Sequence, residues 1–133
     1  MIKTIDLDGQ IIAHIYDLRQ ISKSSFPTPD QPPFQFGVGV IEEDKNIERH
    51  FHRPIKRTIE GTAEFIFVIK GRIDIDIFAP DHSYLETVTL AANQSLLQFK
   101  GGHQMKMFKD TKYFEIKQGP YLGADKDKYY SNV

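Results

Sequence analysis

The sequence predicts a nearly all-β sandwich or barrel, and three observations carry that expectation. About ten short segments join β-branched or aromatic residues to a period-two alternation of apolar and polar positions. Turn residues punctuate them about every 8–12 positions, the spacing of sandwiches and barrels. No long stretch shows the 3.6-residue period of an amphipathic helix.

Taken in order, residues 2–7 and 10–16 read as strands around Asp8-Gly9, a pair suited to a tight hairpin. Residues 16–23 are the best short-helix segment. Residues 23–33 hold Pro27, Pro29, Pro32 and Pro33. Proline fixes φ and lacks an N–H, so this stretch is expected to be an extended loop crossing between sheets. Residues 34–41, alternating around Gly37 and Gly39, and residues 47–52 read as strands. Residues 63–69 and 72–78 are strongly β-forming and meet at Lys70-Gly71. A turn at 79–82 leads to strands at 84–90, 95–99, 104–108 and 113–118. The polar tail, 123–133, is expected to be loosely ordered. The whole chain, 1–133, reads as a single domain, with an N-terminal hairpin and crossing loop over 1–34, a barrel core over 35–120 and a tail over 121–133.

Composition removes several function classes. The 133 residues are 40% hydrophobic and 26% charged, which suits a folded domain rather than a disordered chain. Seventeen basic and eighteen acidic side chains leave a net charge of -1. A dedicated nucleic-acid or membrane-surface protein would carry a basic excess, so neither partner is expected. Cysteine is absent, which excludes disulfides, thiolate metal sites and thiol nucleophiles. The opening residues, Met1-Ile2-Lys3-Thr4-Ile5-Asp6, lack the apolar core of a signal peptide, and the longest apolar run, residues 65–69, cannot span a bilayer. A cytoplasmic location is the expectation.

Three of the five histidines sit in contexts that belong together. His50 and His52 lie two apart on an expected strand, which places both imidazoles on one face about 7 Å apart at their bases. Two imidazoles so placed can lean onto one ion at ~2.0–2.1 Å. The ordinary alternative is a pair of half-exposed strand histidines. Glu64 opens the most apolar strand in the chain, where alternation sets Glu64, Ile66 and Val68 on one face and Phe65, Phe67 and Ile69 on the other. With both faces apolar the strand is expected to be buried on both sides, so the carboxylate needs a partner, a metal ion or a cation, or a strong pKa shift. His103 follows Gly101-Gly102 and shares a strand face with Met105 and Met107. His14 and His82 read as structural or solvated.

His50-x-His52, Glu64 placed six residues before Gly71, and Gly101-Gly102-His103 together resemble the two metal-binding motifs of the cupin superfamily. The resemblance covers roughly residues 35–120. It implies a double-stranded β-helix, the cupin jelly-roll barrel, with one divalent metal ion held by His50, His52, Glu64 and His103. Two departures stand out. Eleven residues, 53–63, separate the histidine pair from Glu64, where the family has three or four, and Glu60 within that gap is a rival ligand. The second motif also lacks its usual proline before the histidine. The stretches 57–64, 101–103 and 115–121 look like a subgroup of small bacterial cupins, of undefined activity, linked with cell-surface polysaccharide biosynthesis. The resemblance further implies a homodimer, for which the isoleucine-rich hairpin at 2–16 is the natural contact.

Three histidines and a carboxylate leave open positions on iron, zinc, manganese or nickel, which suits a metal-dependent oxygenase or a carbonyl or sugar isomerase. The alternatives are a non-catalytic small-ligand-binding cupin and a metal-free cupin resembling sugar-nucleotide epimerases. Arg49, Arg53, Lys56 and Arg57 cluster around the histidine pair and suit an anionic or sugar-derived small molecule, although a solvated rim balanced by Glu48 and Glu60 gives the same pattern. Tyr113, Glu115 and Lys117 share a face of the last strand. If that face lines the pocket, Glu115 and Lys117, with Arg57, are the candidate catalytic groups.

Overall fold

A period-two pattern becomes a strand only where a neighbour completes its ladder of hydrogen bonds. In the computed structural model, which describes residues 3–28 and 34–131, that happens in eight segments. These are β1 (Lys3–Leu7), β2 (Gln10–Asp17), β3 (Glu64–Lys70), β4 (Arg72–Phe78), β5 (Tyr84–Ala91), β6 (Gln94–Gln98), β7 (Gly102–Met107) and β8 (Lys112–Lys117). All pairings are antiparallel. One sheet has the order β1-β2-β6-β3-β8 and the other β5-β4-β7. From β3 onward the chain crosses between the sheets at every step except the β4–β5 hairpin, so β6, β7 and β8 pair with strands distant in sequence. The protein is therefore all-β. Met1, Ile2, the expected crossing-loop residues 29–33 and the last two residues lie outside the described residues.

The core lies between the inner faces. Ala13, Ile15, Ile66, Val68 and Leu96 come from the larger sheet, and Ile73, Ile75, Ile77, Val88 and Leu90 from the smaller one. β4 makes the strictest alternation: Ile73, Ile75 and Ile77 are fully buried, while Asp74 and Asp76 face outward. Those aspartates accept from Thr89 Oγ1 (2.8 Å) and Thr87 Oγ1 (2.6 Å), and Arg72 clasps Asp74 through two nitrogens, so the outer face of this sheet is polar. Lys3 and Glu86 form an ion pair between the sheets.

The outer face of the larger sheet is apolar and only half covered. Phe36 lies over Tyr16 and Phe65, with ring centroids 4.8 and 5.1 Å apart. Beneath this cover Tyr16 donates its hydroxyl to the Pro27 carbonyl (3.1 Å). A phenol has one proton to give, so His14 Nδ1 donates to the Tyr16 oxygen (2.7 Å). His14 is thus a buried structural histidine, as the sequence reading has it. Toward β8 the cover ends, and Ile69, Phe114 and Ile116 are 45%, 43% and 52% exposed.

Several expectations are corrected. Residues 34–41 and 47–52 form no strand; among the described residues the pairing there is the isolated bridge between Ser25 and Val38. Residues 41–62 run without regular structure, and every one of them is exposed. Alternation was present in both stretches, but among the described residues no strand lies beside them. The helix expected over 16–23 is one 3₁₀ turn, Leu18–Gln20, because Tyr16 and Asp17 still pair with β6. β3 is buried on the Ile66–Val68 face alone. Part of the tail, expected to be loose, forms a short helix, α1 (Ala124–Asp127), and Tyr129 and Ser131 hydrogen-bond the imidazole of His82.

Candidate functional site

Ladder register carries the polar residues at one end of the sandwich to a common place. Glu64 on β3 stands opposite Gln98 on β6 and, on its other side, opposite Lys117 on β8. Glu115 faces Ile66, and Tyr113 faces Val68 and packs against the core. The Tyr113 face therefore looks inward, and Glu115 and Lys117 share the Glu64 face. His103 comes from the other sheet, opposite the buried Ile77 on β4. Gly101 makes this delivery possible. Its φ is +76°, and a Cβ there would sit 2.0 Å from the Phe78 carbonyl oxygen.

The resulting cluster is specific down to its protons. Gln98, 4% exposed, donates both amide protons of Nε2, to the carbonyls of Lys100 and Gly102 at 3.0 Å each. Its Oε1 can then only accept, and His103 Nδ1 is the donor, at 2.8 Å. The imidazole is held with its proton on Nδ1. Its other nitrogen, Nε2, lies 3.4 Å from Glu64 Oε2. In neutral His103 that nitrogen presents a lone pair.

Burial decides the protonation states. It pushes the Glu64 carboxyl well above the ordinary carboxylate range, with a proton shared toward Glu115 and the Glu115 charge adding to the effect; Lys117 and Lys128 oppose it in part. Burial also pushes His103 down, against the Glu115 charge and with Lys128 and Lys117 reinforcing it. A neutral imidazole thus faces a carboxyl that keeps its proton unusually long. Lys117 Nζ donates to Asp127 Oδ2 (3.1 Å) and lies over the Tyr121 ring, so the tail borders this end of the sandwich.

His50 and His52 are elsewhere. Their rings make an edge contact with centroids 5.4 Å apart, and His50 Nδ1 lies 2.9 Å from the Glu48 carbonyl, all on the exposed stretch 41–62. Glu60 and the basic residues Arg49, Arg53, Lys56 and Arg57 lie on the same stretch. Among the described residues no three histidine, aspartate or glutamate groups converge as a metal cage. The chain brings together His103 and Glu64, half of the expected ligand set. That half suits a divalent ion: an imidazole lone pair beside a carboxylate oxygen, with the second ring nitrogen tied by a hydrogen bond, is how a histidine ligand is held. Sequence reasoning missed Gln98. Its signal was a lone polar residue in the apolar run Leu96-Leu97-Gln98-Phe99.

Searches against protein-family models, curated proteins and solved structures return no match to this chain. Among the described residues no helix is long and apolar enough to cross a membrane.

Proposed function

We propose that this chain is a metal-binding cupin: a double-stranded β-helix holding one divalent ion, iron, zinc, manganese or nickel, through His50, His52, His103 and Glu64. Its function is that of a metal-dependent enzyme on a small molecule, an oxygenase or a carbonyl or sugar isomerase. The observation that carries the reading is the pinned imidazole of His103, its Nδ1–H fixed by Gln98 and its Nε2 turned to Glu64. The shuttling strand order supports the barrel type. A bound ion supplies Lewis-acid polarisation or, if ferrous, dioxygen activation. Around it Gln98 fixes the tautomer, Glu64 and Glu115 share a proton, and Lys117, on exchanging its Asp127 partner, offers a cation to an anionic or sugar-derived substrate.

A second reading is favoured by the separation of His50 and His52 from the cluster. In it the neutral His103 is itself a base and Glu64 its proton partner, as in a metal-free epimerase-like cupin. Metal content by mass spectrometry on untagged protein separates the two. The metal reading expects about one transition-metal ion per chain in wild type and little in His103→Ala and in His50→Ala/His52→Ala. No metal in wild type, after incubation with each of the four ions, overturns it and leaves the acid–base reading.

A further inference from the structure

The chain after β8 crosses the end of the sandwich that holds the His103–Glu64 cluster. It leaves the larger sheet at Lys117, which pairs with Glu64, the first residue of β3. It arrives at the turn between β4 and β5 in the smaller sheet, where Tyr129 Oη lies 2.9 Å from His82 Nε2 and Ser131 Oγ lies 3.1 Å from His82 Nδ1. Both points lie at the same end. Phe78, the last residue of β4, pairs with Gly102, and His103 follows directly on β7. A segment tied to Lys117 and to His82 therefore bridges the two sheets beside His103 and Glu64, whose side chains are 23% and 14% exposed.

Polar ties, rather than burial, hold this segment. Its large side chains Tyr121, Leu122, Tyr129 and Tyr130 are 61–84% exposed. Asp127 is the one residue of α1 that is not exposed. Its carboxylate accepts from Lys117 Nζ at 3.1 Å, and the two side chains keep only 16% and 24% of their surface, so the pair is shut off from water on most sides. The Tyr121 ring lies over the same ammonium, 5.5 Å from its centroid, and holds the start of the segment there. Lys128, the next residue, stands near enough for its charge to act on both Glu64 and His103. A segment with few buried apolar contacts opens locally at little cost, so it is these ties that decide whether it is closed.

We infer that residues 121–131 are a strap that closes the His103–Glu64 end of the sandwich, and that Asp127 holds it shut by standing on Lys117 where a small oxyanion, a carboxylate or phosphate, stands when the strap opens. The exchange is like for like. One oxyanion leaves the ammonium as another arrives, so Lys117 is never left partly buried without a counter-charge. Asp127 and Tyr129 are two residues apart, so the tie at Lys117 cannot part widely while the tie at His82 stays made. Opening at one end is therefore felt at the other. The closure goes beyond the metal-binding reading above; the anion deepens that reading and rests on the role given there to Lys117.

Histidine reactivity reads the strap. The full chain and its variants, kept in EDTA, are treated with diethyl pyrocarbonate, and carbethoxylation of each histidine is followed by mass spectrometry, with the exposed His50 as internal standard. In Asp127→Asn, which keeps the shape and removes the charge, His82 and His103 should both react about threefold faster, the scale of losing one partly exposed ion pair. Tyr129→Ala/Ser131→Ala leaves every charged side chain in place and should speed His103 as well, which a purely electrostatic effect of Asp127 would not do. In wild type, inorganic phosphate should speed His82 to a plateau at an ionic strength fixed with sodium chloride, and Asp127→Asn should respond no further. An unchanged His103 in Tyr129→Ala/Ser131→Ala, or an unchanged His82 in Asp127→Asn, overturns the strap. Phosphate that moves His82 no more than chloride does overturns the anion's part in opening it. Metal is chelated throughout, so a chain that proves to bind no ion fails the metal reading and leaves the strap standing.

Discussion

Replacing Gln98 by leucine keeps the volume of the side chain and removes three hydrogen bonds at once. Two of them end on the carbonyls of Lys100 and Gly102, in a turn that water reaches, and their loss is mild. The third end is His103 Nδ1–H, on a largely buried ring 2.8 Å from Gln98 Oε1. A buried donor left alone costs about 1–3 kcal/mol, and each solvated acceptor a few tenths to ~1, so Gln98→Leu should lose about 2–4 kcal/mol of stability. Urea unfolding measures this. The sharper consequence concerns the proton. Without the Oε1 acceptor the Nδ1–H tautomer loses its support, and ring-nitrogen NMR at neutral pH should show His103 moving toward the Nε2–H form. On the metal-binding reading, metal uptake should fall with it, because the lone pair facing Glu64 is lost. Gln98→Glu, which can still accept from Nδ1, should restore the tautomer. A loss under ~0.5 kcal/mol, within the range of ordinary surface changes, or an unaltered tautomer, would refute the assignment of Gln98 as the residue that positions His103.

Other perturbations follow from the same structure. Gly101→Ala forces a Cβ to within 2.0 Å of the Phe78 carbonyl at a positive φ, so it should cost at least about 2 kcal/mol and displace His103; thermal unfolding and metal content both read it. Tyr16→Phe strands the Pro27 carbonyl and the His14 Nδ1–H under the Phe36 cover and should cost about 1–3 kcal/mol by urea unfolding. Asp17 is held below the usual carboxylate range, chiefly by its hydrogen bond from Arg19, so its contribution is present above the unfolded value and is lost as pH falls through the lower folded one. Asp17→Asn should therefore be less stable than wild type near neutral pH, and the gap should close below about pH 4 in pH-dependent unfolding.

How much of this was legible in the chain depended on what each feature needs. β4 was read to the residue, because Ile73, Ile75 and Ile77 alternate with aspartates and glycine marks its start. The strands at 34–41 and 47–52 carried the same alternation and were read the same way, yet pairing is a relation between segments, and one segment's pattern cannot report it. The face question at Tyr113 was open for a similar reason: alternation groups Tyr113, Glu115 and Lys117, but only the ladder to Val68, Ile66 and Glu64 says which way they look. His103 and Glu64 were legible as chemistry, since a carboxylate on an apolar strand has to be compensated. Gln98 was not, because glutamine carries no charge to draw attention and its role lies in three hydrogen bonds that no spacing encodes.

The exposure of residues 41–62 has one more consequence. None of these side chains belongs to the buried cluster that holds the two sheets together. The parts of the sequence that make the fold durable and the part that bears His50, His52 and the four nearby basic groups are therefore separate. Mutational drift in that stretch leaves the melting behaviour of the lone chain almost untouched. On the proposed metal-binding reading, specificity is free to diverge there while the scaffold stays constant, and a screen for folded variants would pass changes that remove the histidine pair.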